Sequence, residues 1–446
     1  MTPDRKHPHV AVIGAGFSGL MTAVHLTTLS ADLRVTLIER RPAFGRGVAY
    51  DTRDPGHLLN VRLDNMSAFP DRPDDLADWI AARNQAPAPH GFIGRGLYGD
   101  YLAAIRDRAV AAADGRLTLT PAEALALDRT AKGWSVSTSD GPVAADAVVL
   151  ALGNLEPATP PGIDPALRAS TLYVENPWSL APQSIADARR ILVIGTGLTM
   201  VDTVLSLRAP GRRFVAVSRR GLVPRAHSVE VLAPSDDVFS GGPSRLLAQV
   251  RAASARQDWR AVFDRLRRVA RDLWRGWTPV ERSRFLRHLR PLWDVHRHRL
   301  APTIAAQVDA LRATGDLTIH AGRLTESRLT DTGVQVCWRP RGGRDAVCES
   351  FDLVVNCTGP LSAVERSTRP LIRDLLAKGL IQPDPLGLGL AVDEAGRPLD
   401  VAGRPVPGLY AIGPLTRGAA WEITAVPDLR GAALDLARRV TADMTA

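Results

Sequence analysis

Apolar residues fall along this chain in short runs that stop at glycine and give way to helical spacing. His9–Gly14 (HVAVIG) is one such run; a helical pattern follows through Leu29 and a second strand pattern covers Arg34–Glu39. Strands covered on both faces read as continuous apolar runs, and strand, glycine turn, helix and strand in succession open a βαβ unit. The same succession recurs at Arg190–Gly195 (RILVIG), with a helix through Leu207 and a strand at Phe214–Ser218. Two more runs, Ala147–Leu152 (AVVLAL) and Leu353–Thr358 (LVVNCT), end at Gly153 and Gly359 and predict strands that carry the chain back to the edge where the glycine turns lie.

Between these blocks the pattern changes. Pro157–Pro165 is rich in Pro and Gly, as a linker between domains would be. From about Ser244 to Leu311 the composition is helical, rich in Ala, Leu and Arg, with Trp259, Trp274, Trp277 and Trp293, which predicts an all-helical insertion. After Leu353 short strands and turns return, and an Ala/Leu/Arg helix from about Asp428 ends the chain. No repeat beyond the two βαβ units is expected. At 446 residues the chain has room for two or three domains.

Composition narrows the classes. Apolar content of 45% and charged content of 23% are those of an ordinary globular protein, and no uninterrupted apolar stretch approaches a membrane span. The first nine residues are polar and lack the features of a secretory leader, so the expected location is the cytoplasm, away from membranes. Cys337, Cys348 and Cys357 show no CxxC spacing, which speaks against a disulfide framework, a thiolate metal site and a dithiol redox motif. The formal charge of +9 is concentrated: Gly241–Leu300 holds fifteen Arg and no Lys against five acidic residues, so the remainder is nearly neutral. Most of those arginines belong to solvated helix faces, and no nucleic-acid-reading motif accompanies them.

The glycine turns carry the chemistry. Gly14-Ala15-Gly16-Phe17-Ser18-Gly19 follows a strand and opens a helix, with Glu39 twenty residues beyond Gly19. Such glycines permit the tight turn, the approach of backbone to a pyrophosphate and close helix packing, while the acid binds ribose hydroxyls; this is a dinucleotide fingerprint. Gly195-Thr196-Gly197-Leu198-Thr199-Met200 keeps the first two glycines and has Met200 in place of the third, so the turn survives and the helix packing must differ. Nineteen residues after Met200, where the first unit has its acid, stand Arg219 and Arg220. Guanidinium attracts a 2′-phosphate that carboxylate would repel, which points to NADPH rather than NADH.

An N-terminal dinucleotide fold, a second one inserted, and glycine-ended strands at Gly153 and Gly359 resemble the two-dinucleotide flavoproteins, class B flavin monooxygenases among them. More closely, Gly45-Arg46-Gly47-Val48-Ala49-Tyr50, His57-Leu58-Leu59-Asn60-Val61, Asn176-Pro177-Trp178, Ser218-Arg219-Arg220-Gly221, Trp293–Arg299 and Trp421-Glu422-Ile423-Thr424-Ala425-Val426-Pro427 resemble bacterial FAD/NAD(P)-binding proteins related to N-hydroxylating monooxygenases, including aspartate N-hydroxylases. The resemblance covers nearly the whole chain. Many such proteins carry Gly-Asp near the C-terminus, where this chain has Gly413-Pro414, leaving the Gly413 backbone and the helix start at Thr424–Leu429 to hold the flavin. The Baeyer–Villiger fingerprint, Phe-x-Gly-x-x-x-His-x-x-x-Trp, is absent: Tyr173–Trp178 offers an aromatic and a Trp but no His, which speaks against ketone oxygenation.

The resulting expectation is an α/β protein with two Rossmann-like dinucleotide-binding domains and a helical insertion. Residues 1–160 and 335–446 would form a discontinuous FAD domain, and residues 161–334 an NADPH domain with the insertion at about 241–311. The expected FAD contacts are Gly14, Gly16, Phe17, Ser18, Gly19, Glu39, Arg40, Arg46, Gly47, Asn60, Gly153, Gly413, Thr424 and Val426. Those for NADPH are Gly195, Gly197, Leu198, Thr199, Arg219 and Arg220, and Gly359, within residues 335–446, is a further expected cofactor contact. The resemblance implies hydride transfer from NADPH to FAD, capture of O2 as a C4a-hydroperoxide, and oxygen transfer to the nitrogen of a small acidic amino acid, with aspartate the first candidate. Arg290, His296, Arg297 and Arg299 are the expected carboxylate clamps; the flavin carries the chemistry, so no catalytic triad and no metal are expected. Two rival classes are an NADPH-dependent flavin reductase passing electrons to an organic acceptor or protein partner, and a redox-sensing binding protein using the same two sites.

Overall fold

The computed structural model describes residues 7–84, 91–180 and 182–445, so the polar start of the chain lies almost wholly outside the described residues. The chain divides into two compact units: Met1–Arg53, Arg62–Leu155 and Ser362–Ala446 in one, Asp54–Val61 and Glu156–Leu361 in the other.

The first unit is built on a five-stranded sheet in the order Leu409–Ala411, Ala147–Leu150, His9–Ile13, Arg34–Ile38, Leu117–Thr120, with every pairing parallel. Four of these strands are buried almost throughout, as the unbroken apolar runs require of strands covered on both faces. The crossover helix Phe17–Leu29 is itself buried over eleven of its residues, from Phe17 to Thr27. A helix with so little polar face must be covered on its outer side, and Val426–Thr445 packs there. A separate three-stranded antiparallel sheet, Ala124–Thr130, Gly133–Thr138 and Gly141–Ala145, leads into the strand at Ala147.

The second unit has a seven-stranded sheet. Tyr173–Val174, Leu353–Asn356, Arg190–Ile194, Arg213–Ser218 and Leu317–Thr330 pair in parallel, and Leu317–Thr330 continues into an antiparallel meander with Gly333–Pro340 and Val347–Phe351. Between Arg213–Ser218 and Leu317–Thr330 the insertion forms five helices, Pro243–Ser254, Trp259–Gly276, Pro279–His288, Arg290–Arg297 and Pro302–Ala313. It has an aromatic core of its own: Trp277 meets Phe285 at 5.2 Å between ring centroids, Phe285 meets Trp293 at 6.0 Å, and Trp293 meets Phe263 at 6.0 Å.

Four expectations change. The chain returns to the first unit at Ser362 rather than Gln335, because the meander strands pair onto the second unit's sheet. Residues Asp54–Val61 belong to the second unit although both flanks belong to the first. Cys337 and Cys348 face each other across the meander and are joined by a disulfide, so the spacing rule missed a cross-strand pair. A short repeat also exists: Asp393 and Asp400 each accept two backbone N–H groups, at positions two and four residues on, and pair with Arg397 and Arg404.

Candidate cofactor sites

In the first unit three strand ends converge. Gly14 has φ +100°, and a Cβ there would lie 2.3 Å from the Ala151 carbonyl oxygen, so the turn sits directly against the exit of the neighbouring strand. A Cβ on Gly19 would lie 1.8 Å from the Gly14 carbonyl oxygen, which only glycine tolerates. Gly16 faces Gly47: a Cβ on Gly47 would stand 3.2 Å from the Gly16 Cα, and the Gly45 N–H donates to the Ala15 carbonyl at 2.7 Å. No side chain caps the start of helix Phe17–Leu29, which leaves its first amide groups for a ligand. Gly153 has φ +63° with open space where a Cβ would be, and a Cβ on Gly413, φ +94°, would meet the Ser18 hydroxyl at 3.2 Å. This arrangement fits a dinucleotide laid along the carboxyl ends of the strands.

The charged residues expected here are already engaged. Glu39 accepts from the Ala15 N–H at 2.9 Å and from the Arg41 N–H at 3.1 Å, which pins the glycine loop to the end of the second strand. Arg40 pairs with Glu123 at 4.0 Å, and Arg46 with Asp100. Val426 is buried and begins the last helix, two residues later than the expected start at Thr424; before it Glu422 holds φ +72° and accepts from the Thr424 N–H at 2.7 Å. Asn60, expected beside FAD, lies in the segment of the second unit, where its carbonyl faces His227 Nε2 at 3.0 Å.

The second unit repeats the turn with differences. A Cβ on Gly195, φ +116°, would lie 2.3 Å from the Cys357 carbonyl oxygen, while Gly197 and Gly359 have open space at that position. Helix Leu198–Leu207, with Leu198 and Thr199 in its first turn, has no side-chain cap, and Met200 is fully buried in the third-glycine position. Thr196 Oγ1 is 2.8 Å from Ser218 Oγ and donates to the Leu222 carbonyl at 2.5 Å, tying the glycine turn to the arginine-bearing one. The two arginines there differ. Arg220 donates to the carbonyls of Arg287 and His288 at 3.0 and 3.4 Å, closing the end of helix Pro279–His288, whereas Arg219 is exposed.

The residues expected to clamp substrate are distributed inside the insertion. Arg299, 3% exposed, forms a two-pronged pair with Asp264 at 2.8 and 3.2 Å and also donates to the carbonyls of His296 and Arg260. His296 Nδ1 donates to the Leu292 carbonyl at 2.7 Å; its ring stacks on Phe263 and meets Trp259 edge-on, both at 4.9 Å. Burial, with Arg225 and Arg299 nearby, holds His296 below its ordinary pKa despite that hydrogen bond, so it is neutral at pH 7. Arg299 and His296, both expected as carboxylate clamps, thus have their partners inside the insertion. Arg297 is buried, and Arg290 pairs with Asp294 at 3.5 Å along one helix face.

Sequence reasoning also passed over a half-buried cluster. His57 Nε2 is 2.8 Å from Ser206 Oγ, and the Ser206 hydroxyl donates to Asp54, fastening the Asp54–Val61 segment to helix Leu198–Leu207. Asp54 is held below its usual range: burial alone would raise it, and the hydrogen bonds from Ser206 and the Gly56 N–H prevail.

Residues 11–155 match the model of the FAD-NAD(P)-binding family. In sequence the chain is 29% identical over 219 residues to a Baeyer–Villiger monooxygenase of Streptomyces coelicolor, a match that covers 48% of this chain and only 38% of that enzyme. In structure it is similar to an ornithine N-hydroxylase of Kutzneria sp. 744, solved with reduced FAD, NADP+ and L-ornithine, at a TM-score of 0.66 and 15% identity over 97% of this chain and 98% of that one. The L-lysine 6-monooxygenase of Pseudomonas syringae gives the same TM-score at 18% identity, over 98% of this chain and 100% of the other. The chain therefore has the fold of these two-dinucleotide-binding proteins, and its residues 11–155 resemble the FAD-NAD(P)-binding family.

Proposed function

We propose that this protein is an FAD- and NADPH-dependent monooxygenase that N-hydroxylates a small acidic amino acid, with L-aspartate the first candidate. The observation that carries the reading is the pairing of two glycine turns, one per unit, each opening a helix without a side-chain cap, with likeness over nearly the whole chain to the ornithine and lysine hydroxylases. The reaction balances as amine, O2, NADPH and a proton giving hydroxylamine, water and NADP+. Bound flavin supplies hydride acceptance and oxygen activation; the chain's residues bind, orient and keep water out. Gly14, Gly16, Gly19 and Gly153 would hold FAD, and Gly195, Gly197 and Arg219 the nicotinamide dinucleotide. With Arg299 and His296 committed inside the insertion, the preference for an acidic substrate is supported by the sequence resemblance and by the positive charge of residues 241–300.

A second reading, Baeyer–Villiger oxygenation of a ketone, is favoured by the Streptomyces match and opposed by the missing His of that fingerprint. The test incubates FAD-loaded enzyme, NADPH and O2 with aspartate, glutamate, lysine, ornithine and a panel of cyclic ketones, and follows products by mass. Addition of one oxygen to aspartate or glutamate supports the proposal. An oxygenated ketone selects the second reading, an oxygenated diamine overturns the acidic preference, and NADPH oxidation with only hydrogen peroxide overturns oxygenation of these substrates altogether.

A further inference from the structure

Strand Ala147–Leu150 leaves the first unit's sheet hard against the fingerprint. The position a Cβ would take on Gly14 is 2.3 Å from the Ala151 oxygen and 3.5 Å from the Leu152 Cα; that on Gly19 is 3.1 Å from the Ala151 Cβ. The next residues therefore sit at the rim of the dinucleotide cradle, with Gly153 in a left-handed conformation beside open space. From a distant part of the chain Arg369, the residue that starts helix Pro370–Ala377, reaches this rim. Its Nη1 donates to the Leu152 carbonyl at 2.8 Å and its Nη2 to the Asn154 carbonyl at 2.7 Å, so one guanidinium holds both carbonyls that flank Gly153.

That grip fixes more than two oxygens. In a trans peptide the C=O and the following N–H point in opposite directions. Drawing the Leu152 carbonyl toward Arg369 therefore turns the Gly153 N–H away from it. Among the described residues that N–H meets no acceptor. The guanidinium also neutralises two carbonyl dipoles that would otherwise repel an anion approaching the rim. Arginine suits the task because its planar fork spans two acceptors at once, which an ammonium on a flexible stem does not reproduce.

We infer that Arg369 is a positioning residue whose two-carbonyl clamp aims the Gly153 amide at an acceptor oxygen of the dinucleotide bound in the first unit. The inference rests on the reading of that unit as the FAD site, and it names no contact between Arg369 and the cofactor. The acceptor is either a pyrophosphate oxygen or a flavin carbonyl.

The experiment prepares the full-length protein as wild type, Arg369→Lys and Arg369→Met, strips and restores FAD, and measures FAD and ADP dissociation constants, the visible flavin spectrum and apoprotein melting. The expected result is FAD binding weakened about ten-fold or more in Arg369→Met, with a smaller loss in Arg369→Lys, at apoprotein melting temperatures close to wild type. Parallel weakening of ADP assigns the amide to the pyrophosphate. Weakening of FAD alone, with a shifted flavin spectrum, assigns it to the flavin. Unchanged FAD affinity and spectrum in both variants overturn the clamp while leaving the FAD reading intact; wild-type protein that takes up no FAD overturns that reading and the clamp with it. If Arg369→Met lowers apoprotein melting in step with FAD affinity and Arg369→Lys restores both fully, the residue is structural and the proposal falls.

Discussion

A Cβ placed on Gly19 would lie 1.8 Å from the carbonyl oxygen of Gly14, five residues earlier in the same turn. Helix and strand can meet this closely in the first unit only because both positions are glycine. The second unit does without the third glycine: Met200 occupies the position and is itself fully buried. Gly19→Ala should therefore force helix Phe17–Leu29 outward and abolish retention of FAD on purification, at a stability cost of roughly 1–3 kcal/mol. Met200→Ala should instead leave a cavity, cost about 2–5 kcal/mol, and spare FAD binding. Flavin absorbance after gel filtration and urea unfolding separate the two outcomes.

Local pattern carried the sequence reading a long way because both fingerprints are local. A strand, three small residues and a helix lie within about twenty positions, and the runs His9–Ile13, Arg190–Ile194, Ala147–Leu150 and Leu353–Asn356 are all strands. What escaped was held by contacts between distant residues. His57 meets Ser206 across 149 positions, and Arg369 reaches Leu152 across 217; neither pair has a periodicity or spacing that marks it. The engagement of Arg299 escaped for a related reason. Composition shows that arginines are abundant in the insertion, while only the packing of Trp259–Gly276 shows that Asp264 is beside Arg299.

That pair can be tested directly. Arg299 is almost wholly buried and Asp264 keeps partial contact with solvent, so removing the arginine strands a carboxylate that water can still partly reach. Arg299→Ala should destabilise the protein by about 2–4 kcal/mol, and Asp264→Ala should cost a similar amount because it leaves the guanidinium unpaired. A double-mutant cycle in urea should show strong coupling between the two. The Michaelis constant for an acidic substrate should remain within about two-fold of wild type at temperatures where the variant is folded; a rise of a hundred-fold would return Arg299 to the substrate site.

Acid should act on the first unit through His25. The side chain is buried in helix Phe17–Leu29 with Phe69 edge-on at 6.1 Å, and burial pushes its pKa down to about 4, with Asp71 opposing and Arg438 and Arg72 assisting. The unfolded chain binds the proton near pH 6.5 and the folded chain does not, so the contribution is fully present above pH 6.5 and is lost as pH falls toward 4. The loss from this one group is up to about 3 kcal/mol. His25→Leu should flatten that part of the stability curve, as read from chemical denaturation at pH 7, 6, 5 and 4. A wild-type curve that is flat over this window would show that the ring is protonated in the folded protein.

Choice of nicotinamide cofactor should divide unequally between two adjacent arginines. Arg220 is occupied at the end of helix Pro279–His288, where its guanidinium answers carbonyls that the helix leaves without intrahelical partners. Arg219 is exposed one residue past the strand Arg213–Ser218, in the place where the first unit carries Glu39. A 2′-phosphate brought to that strand end would meet Arg219 as a free charge and Arg220 as a structural one. Arg219→Ala should therefore raise the Michaelis constant for NADPH by roughly ten- to a hundred-fold, the equivalent of losing a charge-assisted contact of about 1.5–3 kcal/mol, and leave that for NADH unchanged. Arg220→Ala should mainly lower the melting temperature, shifting both cofactors alike through loosening of the turn. Steady-state kinetics with each cofactor, at a temperature where both variants are folded, decide the point. If Arg220→Ala alone reversed the preference, the backbone contacts would have to give way on binding, and the division of roles would be the opposite of the one drawn from the geometry.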